Sequence, residues 1–316
     1  MARARRIERE PAGGAGSLPT HARGRVSRAG HSTVGAAPAT GRSELPTDAR
    51  LLPPLGDPFE SVLDAALADL AESMAPDVRR ALEVHARLLL AWNVAINLTA
   101  VRTPEGVALE HVADSLAALP LLRRLAGAGQ RSASLSLLDL GSGPGYPGLP
   151  LALTLPAARA ALVDSIGKKQ RFLAVAARAA ARELEDAGRT PPDIPDVAAV
   201  RARAEDLARS RHRQAWDVIV ARAVGSLAEV AELALPLLRV GGHLVAWKRE
   251  DGTSRLGREL AAARDVVEAA GGDGAAVEPV GVRGLEDHRL VIVGKARTTP
   301  ARFPRAPAER RRPLLP

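Results

Sequence analysis

Between Phe59 and about Leu125 apolar residues recur every three or four positions. The stretches "FESVLDAALADLAE" and "PDVRRALEVHARLLLAWNVAINL" each gather them on one side of a 3.6-residue period, which predicts amphipathic helices. Pro76 stands where a first-turn proline belongs. From Leu135 the texture changes. Short apolar runs, "LSLLDL", "ARAALVDS", "VAAVRAR", "WDVIVARAV", "GHLVAWK" and finally "HRLVIVGKA", read as strands. Helical stretches such as "KKQRFLAVAARAAARELEDAG" and "LAEVAELALPLLR" lie between them. Apolar strands separated by crossover helices predict an α/β fold: a mainly parallel sheet with helices on both faces, preceded by a small helical region. No internal repeat is visible.

The two ends of the chain carry no such period. Residues 1–50 are rich in Ala, Gly, Arg, Ser, Thr and Pro, and residues 297–316 in Pro and Arg, so both are expected to be disordered tails. A helical subdomain over 51–130 and an α/β domain over 131–296 are expected between them. Charge divides the same way. Residues 1–50 hold nine arginines against four acids, and residues 295–316 seven basic residues against one acid. With a total of +8, the middle is left at −3. The basic character therefore belongs to the tails and not to the fold. Basic tails fit a polyanionic partner, nucleic acid being the usual one, and equally fit a solubilising extension.

Other features narrow the class. The chain has no cysteine, which excludes disulfides, thiolate zinc sites and cysteine nucleophiles. No apolar run approaches the ~18 residues of a membrane span. The N-terminus lacks the apolar core of a secretory signal, and Glu8 and Glu10 spoil a transit-peptide reading. The expectation is a cytoplasmic, monomeric protein with no membrane contact and no metal.

The chemistry starts where the first strand runs into "GSGPGYPG". In sheets of this kind ligands bind beyond the carboxyl ends of the strands, and bare glycine backbone lets a ligand approach closely. Gly143, Gly145 and Gly148 match the G-x-G-x-x-G dinucleotide pattern. However, Pro144 and Pro147 stiffen the loop and Pro147 has no N–H for a pyrophosphate. In the register that begins at the strand end, Gly141-x-Gly143, Tyr146 takes the third glycine's place. Two acids suggest another ligand. Asp164 ends the next strand, where an acid can accept from ribose hydroxyls. Asp139 precedes the loop, and its charge suits an ammonium better than a pyrophosphate. S-adenosylmethionine has adenosine at one end, an ammonium at the other and a sulfonium between. Each acid also has a structural reading: Asp139 as an acceptor for loop amides, Asp164 as a cap for the helix starting near Ile166. A nicotinamide-dependent oxidoreductase would need the register that Tyr146 spoils. A non-catalytic RNA-binding module would explain the tails but leave the pocket unused.

"LLDLGSGPGYPGLPLAL", "LVDSIGKKQRFL" and "WNVAINLTAVRTPEGVALEHVADSL" together resemble the RsmG (GidB) family. "VRARAEDLA", "DVIVARAVGSL", "LVAWKRE" and "HRLVIVGKA" follow in the family's order, so the likeness runs from about Phe59 to Ala296. It implies a Rossmann-like class I methyltransferase fold, and transfer of a methyl group from S-adenosylmethionine to N7 of a guanosine in 16S ribosomal RNA. The partner would be that RNA or the small-subunit particle. Gly141 and Tyr146 would line the cofactor pocket, beside Gly143, which the loop itself offers as a cofactor contact. Asp164 and Ser165 would lie by the ribose, Ala204 and Glu205 by the adenine, and Arg222 close to the cofactor. Arg203, Arg222, Lys248 and Arg289 match positions that face RNA or the target base. Arg203 and Arg289 also fit ordinary exposed strand ends, and His111 and Asp114 fit a brace between the helical region and the sheet. Glu110 stands where the family usually has arginine, and Tyr146 where it has an aliphatic residue or phenylalanine.

Guanine N7 has a free lone pair, so no general base is required and none is assigned. With seven aromatic residues in the chain, no stacking face of the RNP type can form. Tyr146 and Trp247 are candidates for ring contacts, or for core packing. Lys168, Lys169 and Arg171 could contact phosphates or simply form a solvated helix face.

Overall fold

In a computed structural model that describes residues 45–128, 135–155 and 158–310, the helical periods become α1 (Asp57–Asp69) and α2 (Pro76–Ile96). Pro76 opens α2, where a missing N–H costs nothing. Asn97 closes it in the left-handed region at φ 47°. Asn93 then shapes the exit: its Oδ1 accepts from the amides of Leu98 and Thr99, and its Nδ2 donates to the Thr99 and Val101 carbonyls. The chain re-enters helix through α3 (Pro104–Gly106), a π-helical segment (Val107–Ala113) and α4 (Asp114–Leu116), and α5 (Leu119–Ala128) completes the preface.

Each apolar run then pairs. β1 (Ser136–Leu140), α6 (Gly148–Thr154), β2 (Arg159–Asp164), α7 (Gly167–Asp186), β3 (Asp196–Arg201), α8 (Ala204–Ala208), β4 (Trp216–Arg222), α9 (Leu227–Ala234) and β5 (Leu238–Arg249) follow in alternation. After α10 (Arg255–Ala269) come β6 (Gly272–Pro279) and β7 (His288–Lys295). The sheet order is β3-β2-β1-β4-β5-β7-β6. Its first five strands are parallel, and β7 and β6 join as antiparallel neighbours. The dinucleotide-binding order 3-2-1-4-5-6 is all parallel at that edge. Inserting antiparallel β7 beside β5 gives the class I methyltransferase arrangement instead. The parallel strands run towards the cavity described below, and antiparallel β7 begins at that same end. β6, written "GDGAAVEP", was not expected from the sequence; it is mostly exposed and pairs only with β7, so no apolar period marks it.

Period-two alternation sends side chains to two cores. Leu137, Leu162, Val218 and Val220 pack with the preface and α7 on one face. Leu138, Val163, Ile219 and Ala221 pack with α8, α9 and α10 on the other. The preface is therefore one of the layers covering the sheet.

Both tail expectations need correction at their inner ends. Residues 45–50 are placed: Ala49 is buried, and Trp92 Nε1 donates to the Pro46 carbonyl. Residues 297–310 are placed as well, ending in α11 (Pro307–Arg310), with Phe303 1% exposed. The proline-rich composition hid this because carbonyls and ion pairs, more than apolar residues, hold the segment. Residues 1–44 and 311–316 lie outside the described residues.

Candidate active site

A cavity of about 950 Å³ opens where the strand order reverses between β1 and β4. The loops after β1, β4 and β5 form its floor, and Leu98, Thr99, Glu110, His111 and Asp114 of the preface form its roof. Ligand sites for molecules of drug or cofactor size span roughly 300–1,000 Å³, so this one has room for more than one small ligand.

The glycine loop is built for close approach. Gly143 has φ +55°, and a Cβ placed on it would find nothing nearer than the Gly141 carbonyl oxygen at 3.8 Å. That side of the backbone is open. Gly148 is the opposite case, since its Cβ would fall 2.5 Å from Asp139 Cβ. Only glycine lets α6 start this close to β1.

The two acids hold this loop from below. Asp139 is buried, and its Oδ2 accepts from the Gly148 N–H at 2.9 Å. Burial pushes its carboxyl up to about 7, against the pull of that hydrogen bond. Asp139 does not line the cavity. Its Oδ2 serves the Gly148 amide, so the structural reading of Asp139 describes this geometry. Asp164 accepts from Gly143 N–H at 3.1 Å and from Ile166 N–H at 2.8 Å, with Lys169 Nζ 3.8 Å away. Asp164 does not cap α7, whose N-cap is Ile166 with no side-chain cap bond; its carboxylate instead fixes the residue before the helix and ties the loop to β2. Ser165 follows it, exposed at the strand's end.

Tyr146 is sandwiched between two imidazoles. His85 of α2 stacks on it at 4.3 Å and 13°, and His111 at 4.9 Å and 26°. His85 Nε2 lies 2.8 Å from the Pro144 carbonyl, so a preface side chain supports the glycine loop directly. Burial drives His85 down to about 3. His111 falls to about 4 through burial and then the charge of Arg222. Both rings are neutral at physiological pH. Burial raises the Tyr146 phenol, whose hydroxyl has no partner among the described residues.

Arg222, at the end of β4, lies 5.8 Å over the Tyr146 ring. Its Nη1 donates to the Glu110 carbonyl at 2.9 Å and to Asp114 Oδ2 at 2.8 Å, and its Nη2 lies 3.2 Å from His111 Nδ1. Asp114, 1% exposed, also has Oδ1 2.8 Å from His288 Nδ1 and receives Trp247 Nε1 on its carbonyl at 2.9 Å. One buried acid thus connects the preface to β4, β5 and β7. The brace reading of His111 and Asp114 describes this geometry, and both residues also line the cavity.

The remaining expected residues are dispersed. Lys248 lines the cavity, but its ammonium is held by Glu259 Oε1 at 2.5 Å and the Gly225 carbonyl at 2.8 Å. Its charge is therefore balanced within the chain, contrary to a free phosphate contact. Arg289 pairs in register with Lys248 and donates to the Glu286 and His288 carbonyls, outside the cavity wall. Arg203 is exposed and precedes α8, and Ala204 is buried in that helix. Glu205 is bound by Arg310. These last three stand beyond the carboxyl end of β3, two strands from the cavity floor.

A family model described as rRNA small subunit methyltransferase G (GidB) matches residues 79–271. The protein named ribosomal RNA small subunit methyltransferase G in Roseiflexus sp. (strain RS-1) is 41% identical over 219 residues, covering 69% of this chain and 83% of that one. Those of Chloroflexus aggregans and Deinococcus radiodurans are each 40% identical. They cover 72% and 74% of this chain and 86% of their own length. The chain belongs to the rRNA small subunit methyltransferase G family.

Family membership fits the cofactor expected from the sequence, and the open side of Gly143 is the observation on which the fit rests. Three residues in or behind the cavity wall, His85, Glu259 and His288, were not legible in the sequence. His85 sits in an apolar stripe with Leu82, Leu88, Leu89 and Trp92, and a lone histidine in such a stripe was the available signal. His288 and Glu259 gave none, because their partners are 174 and 11 residues away. No helix among the described residues is long and apolar enough to cross a membrane.

Proposed function

We propose that this chain transfers the methyl group of S-adenosylmethionine to N7 of a guanosine in 16S ribosomal RNA, acting as a cytoplasmic monomer. The observation that carries the reading is the bare edge of the glycine loop on the floor of a large cavity at the strand-order reversal. The alternative of a nicotinamide oxidoreductase lacks the all-parallel edge as well as the glycine register.

The backbone of Gly141 and Gly143, with Tyr146 behind it, would hold the cofactor's middle. Asp164 and Ser165 would meet the ribose, and Ala204 and Glu205 the adenine. Arg222 would lie between cofactor and target base. Bound there, the cofactor supplies an electrophilic methyl group on a sulfonium. The protein's task is then alignment and a suitable field. His111 stays neutral and adds no positive charge to a wall that must accommodate a purine turning cationic. The Asp114 carboxylate balances Arg222, so that a guanidinium can stand at the site without repelling the product. No side chain needs to take a proton.

The deciding experiment maps N7-methylguanosine in small-subunit RNA from cells lacking the protein. Loss of one modified guanosine, restored by the wild type and not by Arg222→Ala, is expected. An unchanged RNA would overturn the reading. Calorimetry with S-adenosylmethionine against NADH tests the cofactor separately.

A further inference from the structure

The segment after β7 runs past α9 to α8. It starts at the end of the sheet away from the cavity, where Lys295 Nζ donates to Thr299 Oγ1 and the Leu235 carbonyl. Arg213 donates to the carbonyls of Thr299, Pro300 and Phe303, and the Phe303 ring enters the core beside α9 and α10. Arg305 grips Glu232 of α9, itself 1% exposed, with its backbone N–H at 2.8 Å and its Nη2 at 2.7 Å. The path ends at Arg310, whose Nη1 donates to the Arg305 carbonyl and whose Nη2 donates to Glu205 Oε1. Glu205 lies beyond the carboxyl end of β3, at the ligand-binding end of the sheet.

This last ion pair is sheltered. The Arg310 side chain is 9% exposed and that of Glu205 13%. Burial alone would push the Glu205 carboxyl up, but the Arg310 hydrogen bond, the residue's own backbone N–H and the charges of Arg310 and Arg203 bring it below the usual carboxylate range. The group therefore stays an anion, a hydrogen-bond acceptor that cannot donate. With Oε1 committed to Arg310, no described side chain donates to Oε2.

We infer that residues 297–310 form a strap whose last residue, Arg310, is a positioning residue for cofactor binding: it fixes the Glu205 carboxylate so that its free oxygen accepts from the amino group of the adenine. This rests on the placement of Glu205 at the adenine given under the proposed function. A fixed acceptor favours an amino group over a carbonyl at the same ring position, because two acceptors cannot bond. The strap thus contributes to the choice of adenosine over inosine, from a segment that touches no part of the cavity wall.

The test measures binding of S-adenosylhomocysteine and S-inosylhomocysteine to the full chain by calorimetry. Arg310→Ala should weaken the adenosyl ligand about tenfold and leave the inosyl ligand within about twofold, so that the preference collapses. Arg310→Lys, which keeps a charged donor, should recover most of it. Should Arg310→Ala not fold, Arg310→Gln carries the same comparison. Glu205→Gln should lose the preference too, and the double variant should lose no more than either single one. If Glu205→Gln loses the preference but the Arg310 variants keep it, the strap inference is overturned while Glu205 stays at the adenine. If Glu205→Gln binds both ligands as the wild type does, the adenine assignment falls and the inference with it.

Discussion

Replacing Asp114 by alanine removes the one carboxylate that serves both Arg222 and His288. Two bonds of 2.8 Å are lost, and a guanidinium whose side chain is 16% exposed is left beside a gap. Hydrogen bonds to charged groups contribute about 1.5–3 kcal/mol each, and breaking one partner of a buried pair costs about 3–5 kcal/mol. Arg222 keeps the Glu110 carbonyl, and Trp247 keeps its bond to the main chain at residue 114, so the lower end of about 3 kcal/mol applies. Asp114→Asn retains an acceptor and should lose about 1–2 kcal/mol. Urea denaturation at pH 7 measures both. Combined with Arg222→Ala, the loss should fall short of the sum of the single losses by at least ~1 kcal/mol, the mark of shared partners. Calorimetry should show S-adenosylmethionine bound about tenfold more weakly by Asp114→Ala, a difference of ~1.4 kcal/mol, because Arg222 is no longer aimed. A loss of stability below ~1 kcal/mol, or strict additivity with Arg222→Ala, would refute the account of Asp114 as the junction of preface and sheet.

Gly148→Ala should cost about 1–3 kcal/mol in a urea titration, since the new methyl would meet the strand at Asp139 and the side chain of Leu162. The Asp139 carboxyl is raised from 3.8 to about 7 on folding, so its contribution is present in full below pH 4 and disappears as pH rises through 7. Asp139→Asn should therefore flatten the urea midpoint across that window relative to the wild type. In that same variant, single-turnover methyl transfer should be nearly constant from pH 6 to 9; a rise of one decade per pH unit would mean a nucleophile that must lose a proton. Deleting residues 1–44 and 311–316 should leave cofactor affinity intact and reduce the salt dependence of RNA binding, read as a shallower log–log slope in filter binding.

The sequence made the strands and the glycine loop legible for one reason: both are written locally. "LLDL" and "DVIVA" are apolar and buried on both faces apart from one aspartate each, and a loop of three glycines excludes most other uses. β6 was hidden because an exposed edge strand of small and polar residues has no period to read. The strap was mistaken for a tail because what holds it, the Arg213 clasp and the Arg305–Glu232 pair, joins residues 73 to 90 positions apart. Lys248 shows the same limit from the other side. A lysine at a strand end reads as an open charge, and only the fold reveals that Glu259 has already neutralised it.

The shared layer of preface and sheet has a consequence for a chain still on the ribosome. Asp114 leaves the exit tunnel 174 residues ahead of His288. At about 5–20 residues per second, the half-made protein presents that acid without one of its final partners for roughly ten to thirty-five seconds. Over part of that interval the apolar stripe of α2 also waits for Phe172 of α7, whose ring lies tilted 5.4 Å from that of Trp92 in the finished structure. Translation speed, and whatever shields emerging chains, therefore act on this enzyme before it has a cofactor site at all.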